Sequence, residues 1–295
     1  MSLTFLHDAL AATTPILLAA LGGAINRQGG TVNVGLDSFI LAGALAGEVA
    51  SAVTGSSLGG VAGAAIAGGG TAALMAAVIR FARTDQIVTG LGFDMSAQAV
   101  CRLVVKLAFG VTGLLSLPAA RRLPVVAIPE LGTLDALTLL SWSLVPACAW
   151  FLRHHRLGLR LRAAGESPGA ATALGFDPKR LQAAATIAAG VLAGLAGADL
   201  SLGIVGAFST NISNGRGFMA LAAFYIGRAR PFSTAAACLM LGLLTEAAIH
   251  AQADGLPTAL AQAAPYLAVI CVLGAQAVAN RHQPNLQRML KGLKT

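Results

Sequence analysis

The sequence predicts an all-α polytopic membrane protein: one transmembrane domain over residues 1–295, with about nine helices in two inverted, pseudo-repeated halves. Three observations predict it. Only 11% of the residues are charged and 56% are hydrophobic, against roughly 25% charged in ordinary soluble domains, so much of the surface needs lipid as its solvent. Apolar stretches recur along the chain at close to the 20 or so residues that a spanning helix requires. Two polar, Gly- and Asn-rich interruptions fall at corresponding places in the two halves.

The first repeat covers about residues 9–109 and reads as four helices, 9–25, 38–53, 58–79 and 89–109. They are rich in Gly and Ala, which lets membrane helices approach closely where apolar burial gives little drive for association. The first ends in Gly22-Gly23, and the third carries Gly68-Gly69-Gly70. A loop with Pro118, Arg121, Arg122, Pro124, Pro129, Glu130 and Asp135 follows and predicts a short surface segment. The fifth helix is 136–152. A charged island at 153–180 then holds six of the twenty Lys and Arg, namely Arg153, Arg156, Arg160, Arg162, Lys179 and Arg180. Its Gly-Glu-Ser-Pro run, residues 165–168, reads as a helix start, and Gly175 with Asp177-Pro178 as a stop. The second repeat, about 181–279, contains 181–200, 217–226, 233–250 and 259–279. Its second member is too short to span alone and borrows from the Gly-rich segment before it.

The basic residues set an orientation. With the island inside the cell, Arg27, Arg80, Arg83, Arg228, Arg230 and the four basic residues of the carboxyl tail join it, leaving Arg121, Arg122 and Arg216 outside. The amino terminus is then outside and the carboxyl terminus cytoplasmic, in a multi-pass protein. The tail, 280–295, reads as a solvated anchor near anionic lipid. The net charge of +8 is scattered between apolar spans, without aromatic platforms, so no nucleic-acid partner is expected.

The two interruptions are residues 26–37 and 203–218. Each follows a Gly/Ala-rich helix and precedes another. With the fifth helix between them, the halves run in opposite senses, and interrupted segments at matching places in inverted halves point to a transport pathway. A plain aqueous loop is the alternative for either break. Asn33, Gly35, Asp37, Asn211, Asn214 and Arg216 fall in the breaks and suit a polar, uncharged solute. Asp94 and Gln98, i and i+4 in the fourth helix, read as a polar stripe along a cavity or as a satisfied structural pair. Arg102 and Lys106 beyond them can snorkel to the surface. Glu48, Asp199 and Glu246, near helix ends, are expected to face water.

Catalytic signatures are absent from the sequence. It contains no GxxxxGK[ST] and no HExxH, and His154-His155 stands in the basic island without a nearby carboxylate. Cys101, Cys148, Cys238 and Cys271 are scattered through apolar segments and read as small buried residues. The expectation is a transport subunit, not an enzyme, with no metal and no cofactor of its own.

Three ordered stretches resemble one family. Leu17-Leu18-Ala19-Ala20-Leu21-Gly22-Gly23 leads to Val32-Asn33-Val34-Gly35-Leu36-Asp37. Leu157-Gly158-Leu159-Arg160-Leu161-Arg162-Ala163-Ala164-Gly165-Glu166-Ser167-Pro168 stands in the island. Gly215-Arg216-Gly217-Phe218-Met219-Ala220-Leu221-Ala222-Ala223 is followed by Gly227-Arg228 and Pro231. Together they resemble the permease subunits of bacterial ABC importers for simple sugars and nucleosides, the branched-chain amino acid and ribose-type permeases. The likeness is to the branch that works with nucleoside-binding lipoproteins of the basic membrane protein type. Ser167 stands where Asn is usual, Asp37-Ser38 where Glu-Gly is common, and Asp94 and Gln98 where the family is commonly apolar. Phe224-Tyr225 and Ala229-Arg230 also replace more typical residues.

The resemblance implies that the chain translocates a nucleoside or simple sugar. ATP would be bound by a separate ABC ATPase subunit. A periplasmic or lipoprotein solute-binding protein would deliver the solute, and a second permease subunit would complete a homo- or heterodimeric pore. It also implies a short coupling helix at about 166–174 that seats in the ATPase, with Gly165, Glu166, Pro168, Ala170, Ala171, Leu174 and Gly175 at the contact. Glu166 at its start would complement the helix dipole. A basic loop that only sets topology is the bland alternative for the island. An ion-gradient-driven secondary transporter of a small polar solute is the rival for the whole chain.

Overall fold

A computed structural model describes residues 3–111, 113–116, 122–128, 132–253, 255, 257, 260–261, 263–275 and 278. The carboxyl tail with its four basic residues, Pro118, Arg121, Pro129 and Glu130 lie outside them. Among the described residues, seven helices are long and apolar enough to cross a membrane, and two shorter apolar helices, Arg216–Ile226 and Ala263–Ala275, accompany them.

The long helices are α1 (Leu3–Gln28), α2 (Leu36–Thr54), α3 (Ser57–Ala82), α4 (Gln86–Phe109), α5 (Ala136–His154), α8 (Pro178–Ala198) and α10 (Pro231–Ala253). Two short helices of the island are α6 (Arg156–Glu166) and α7 (Pro168–Ala173); α9 is Arg216–Ile226. The remaining short apolar helix, Ala263–Ala275, is α11.

The centre is α1. Its run Ile16, Leu17, Leu18, Ala19, Ala20 and Leu21 is essentially inaccessible, and α5, α8, α9 and α10 surround it. Small residues set how closely the bundle closes. A Cβ on Gly43 of α2 would stand 2.5 Å from the Gly194 Cα of α8, so these two backbones touch only because neither residue has a side chain. By contrast α3 and α4 keep broad apolar faces exposed, including Ile66, Leu74, Val88 and Leu103.

Local chemistry sets the ends of the island. Gly158, Leu161 and Ala164 recur every three residues on the buried face of α6, which carries the helix on to Glu166. Ser167 then caps α7, its hydroxyl accepting from Ala170 N–H at 3.4 Å, with Pro168 at the first helical position, where a missing N–H costs nothing. Glu166 therefore ends α6 rather than starting the coupling helix, and it pairs loosely with Arg162 at 3.7 Å. Gly175 (φ +82°) terminates the α7 turn. Asp177-Pro178 is a start and not a stop: Asp177 caps α8 by accepting from Lys179 N–H at 3.0 Å.

α8 runs on into a π-helical turn, Asp199–Ile204. The chain beyond it forms β4 (Ala207–Ser209), which pairs antiparallel with β1 (Leu114–Ser116), Leu115 opposite Phe208. The α4–α5 loop is thus more than a surface segment: it supplies β1 and the hairpin of β2 (Val125–Ile128) with β3 (Gly132–Asp135). It also lays Arg122 against Gly206.

Candidate functional site

The two breaks meet. The first returns the chain from α1 through residues 29–35 to α2. Within it the Asn33 Oδ1 accepts from Gly35 N–H at 3.0 Å, and Gln86 Oε1 from Val32 N–H at 3.0 Å. Asp37, in the first turn of α2, reaches across 176 residues to accept from the Ser213 hydroxyl at 2.8 Å, and its other oxygen accepts from Gly217 N–H at 3.0 Å. Gly217 lies in the first turn of α9, so a carboxylate from one break caps the helix that leaves the other. Gly217 has to be glycine, because a Cβ there would overlap the Asp37 backbone.

Asp94 repeats the device one layer out. Its Oδ1 accepts from Ser38 N–H at 2.7 Å, in the first turn of α2. The order α4, α2, α9 is thereby linked by two carboxylates, each capping the next helix. Gln98 does not join them. It accepts from Arg102 at 3.4 Å on a more open part of α4, so the expected Asp94–Gln98 stripe is split into a buried cap and a surface pair.

Gly35 sits under α4, against Gly90. Arg216 is half-buried, donates to Ile212 O at 3.1 Å and lies in electrostatic reach of Asp37, Asp199 and Tyr266. Asn211 and Asn214 are exposed. Asn214 adopts a left-handed conformation (φ 41°), and its carbonyl accepts from the Tyr266 hydroxyl at 2.9 Å.

Two cavities of mixed polar and apolar wall flank this junction, and no residue lines both. One, about 380 Å³, is lined by Asn26, Asn33, Gln86, Gln182 and Thr186 among others. The other, about 290 Å³, includes Asn214, Arg216, Thr245, Gln252 and Tyr266. Asn33, Asn214 and Arg216, which the sequence singles out, line these cavities, and so do Asn26, Gln86 and Gln182, which it does not single out. They stand at helix ends beside basic residues and look like ordinary solvated amides.

Three carboxylates expected to face water do not. Glu48 and Asp199 are 1% exposed with no hydrogen-bond partner on either oxygen among the described residues, and Glu246 is 8% exposed beside His250. Glu48 is in α2, which packs against α3 and α8, and Asp199 opens the π-helical turn, which α2 also contacts. Helix-end position predicted hydration, and packing removed it.

At the island end, Pro168, Ala170 and Gly175 are exposed, and Leu174 is 69% exposed, while Ala171 is buried and holds α7 in place. Gly165 packs on the Gly29-Gly30 backbone at the exit of α1. The island helices therefore rest directly on the start of the first break.

Residues 5–273 match the family of the branched-chain amino acid transport system, permease component. The chain is 30% identical over 280 residues to the nucleoside ABC transporter permease protein NupC of Lactococcus lactis, covering 88% of each chain. It is 30% identical over 281 residues to the guanosine ABC transporter permease protein NupQ of Bacillus subtilis, covering 88% of this chain and 87% of the relative. It is 29% identical over 281 residues to the putative glucose ABC transporter permease protein TsgC13 of Haloferax volcanii, covering 90% and 82%. No solved structure matches the chain.

Proposed function

The chain belongs to the permease-component family of branched-chain amino acid transport systems, and on that premise we propose that it moves a nucleoside or simple sugar through the plasma membrane as the permease subunit of an ABC importer. A separate ATPase supplies the energy, a solute-binding protein delivers the solute, and a second permease completes the pore. The exposed α7, with Leu174 projecting from its end and Ala171 anchoring its base, carries the coupling reading: it is a short, doubly delimited helix offered to a partner.

In this reading α6 and α7 are cytoplasmic, as the sorting of Arg and Lys favours. The two halves run in opposite senses, and the solute passes beside the Asp37 junction where the breaks meet. ATPase closure pushes on α7. Gly165 transmits the push to Gly29-Gly30, and the first break and α2 move with it, alternating access across the junction.

The experiment is ATP-dependent uptake of labelled guanosine and ribose by the co-expressed transporter, with and without Leu174→Asp. The exposed site lets the variant fold. Uptake and co-purification of the ATPase should both fall at least tenfold. Retention of both would remove α7 as the coupling element.

A further inference from the structure

Where the carboxyl end of α3 meets the amino end of α8, the chain gathers cations that its own acids do not balance. The two helices pack closely along small residues, Gly68 against Gly190 among them. At the island end the contact is looser, with Arg80 4.0 Å from Asp177. That carboxylate is already committed. It holds Arg180 at 3.1 Å and caps α8 through the Lys179 N–H. Arg80, Arg83 and Lys179 all line the cavity of about 380 Å³, and no Asp or Glu lines it among the described residues. Arg83 and Lys179 have no ion-pair partner among the described residues. Arg83 also holds a left-handed conformation (φ 53°) at the end of α3, a position that favours glycine. Three cations around one cavity fit a phosphate group, to which Arg offers paired N–H donors and Lys a point charge.

The same residues open onto an apolar surface. Ala76, Arg80 and Ala183 line both the cavity and a neighbouring open groove of about 310 Å³. The groove continues over Ala73, Ala77, Phe81 and Ile187. Alanine at 73, 76, 77 and 183 puts no side chain large enough to fill it. Phe81 is 81% exposed and Ile187 38%, so the groove lies on an outer apolar face, the kind of surface that meets a membrane. A free phosphate gains nothing from such a groove. A phospholipid uses both parts, because its charged headgroup and its acyl chain are joined as the cavity and the groove are. Basic pockets between spanning helices are a known form of anionic headgroup site.

We propose that the cavity and the groove form a site for one anionic phospholipid of the leaflet at the island end. Arg80, Arg83 and Lys179 hold its phosphate, and an acyl chain lies along α3 and α8. The lipid straps α3 to α8 beside Gln182, whose amide donates to Gly29 O at 3.1 Å in the first break.

The test takes the full-length protein in detergent and adds phosphatidylglycerol, phosphatidylcholine or glycerol phosphate. Native mass spectrometry counts bound lipid, and the thermal midpoint reports binding because a ligand of the folded state raises it. One phosphatidylglycerol per chain should be retained and should raise the midpoint, and phosphatidylcholine should bind about tenfold more weakly. Arg83→Ala combined with Lys179→Ala, at two exposed positions, should weaken phosphatidylglycerol by about tenfold and leave the lipid-free midpoint unchanged. Ala77→Phe fills the groove, keeps every charge, and should weaken the lipid as well. Glycerol phosphate should not displace it. Displacement by glycerol phosphate, with normal binding by Ala77→Phe, would reveal a soluble-anion site and overturn the proposal. Equal binding of the two lipids, or an unaffected double variant, would overturn it too. So would a disulfide between the Phe81→Cys residues of two permeases, since a second copy would then cover the groove. Binding is read on the protein alone, so these outcomes stand apart from the solute that it moves.

Discussion

The two breaks in the helical pattern look alike in sequence and are built differently. The first, between α1 and α2, is fastened by side-chain amides: buried Asn26 and Asn33 of the break itself and half-buried Gln86 at the start of α4 hold backbone and hydroxyl groups, and α6 and α8 lean on it through Gly165 and Gln182. The second, between α8 and α9, is fastened from outside. It is a short strand paired to the α4–α5 loop, with Arg122 over Gly206, and its turns use left-handed Gly206, Asn214 and Gly215. A break that must satisfy its backbone inside a packed bundle needs side-chain amides of its own. One that emerges beside a loop can borrow a strand. The first break is thus coupled to the island, and the second to the opposite loop, with Asp37 joining them.

The largest effect is expected at the junction itself. Gly217→Val forces a branched side chain into the Asp37 backbone, and both breaks should lose their common contact. Overpacking of this kind costs about 3 kcal/mol or more, and purified protein should show a markedly lower thermal midpoint with no uptake. An unchanged midpoint would mean the breaks are not joined as described.

Asp37→Ala comes next. It leaves the Ser213 hydroxyl and Gly217 N–H without their acceptor, at a cost of about 2–3 kcal/mol. Hydrogen exchange should rise at the start of α9 and not in α1. Asp94→Ala removes one cap from α2, for about 1 kcal/mol, and exchange should rise over the first turn of α2 alone.

Arg122→Ala should be the mildest, within about 0.5 kcal/mol as a surface change. It loosens the second break only, so protease access near Gly206 should increase while the first break keeps its protection. Equal loosening of both breaks would erase the distinction between them.

Much of the architecture could be read from residue order. The apolar helices, the two interruptions and the short helix in the island all have local causes: hydrophobic runs of spanning length, clusters of Gly and Asn, and Ser167-Pro168. The reading of Glu166 as a helix start failed because two local signals compete there. The three-residue spacing of Gly158, Leu161 and Ala164 extends α6 to Glu166, and the cap falls to Ser167. Asp37, Asn33 and Arg216 stand in the breaks, and that position alone points to a pathway. That Asp37 would bind Ser213 and Gly217 had no local sign.

The sequence by itself determined that this chain lives in a membrane, where its helices lie and where they break, because low charge, apolar length and turn residues act over a few neighbours. Only the tertiary structure decided which groups would be left dry. Glu48 and Asp199 lost their water because α2 packs against α3, α8 and the π-helical turn. Asn26, Asn33 and Gln86 came to share a cavity because α1, the first break and α4 converge there. Burial and hydrogen-bond pairing across such distances depend on which helices meet, and packing of small residues such as Gly43 against Gly194 settles that.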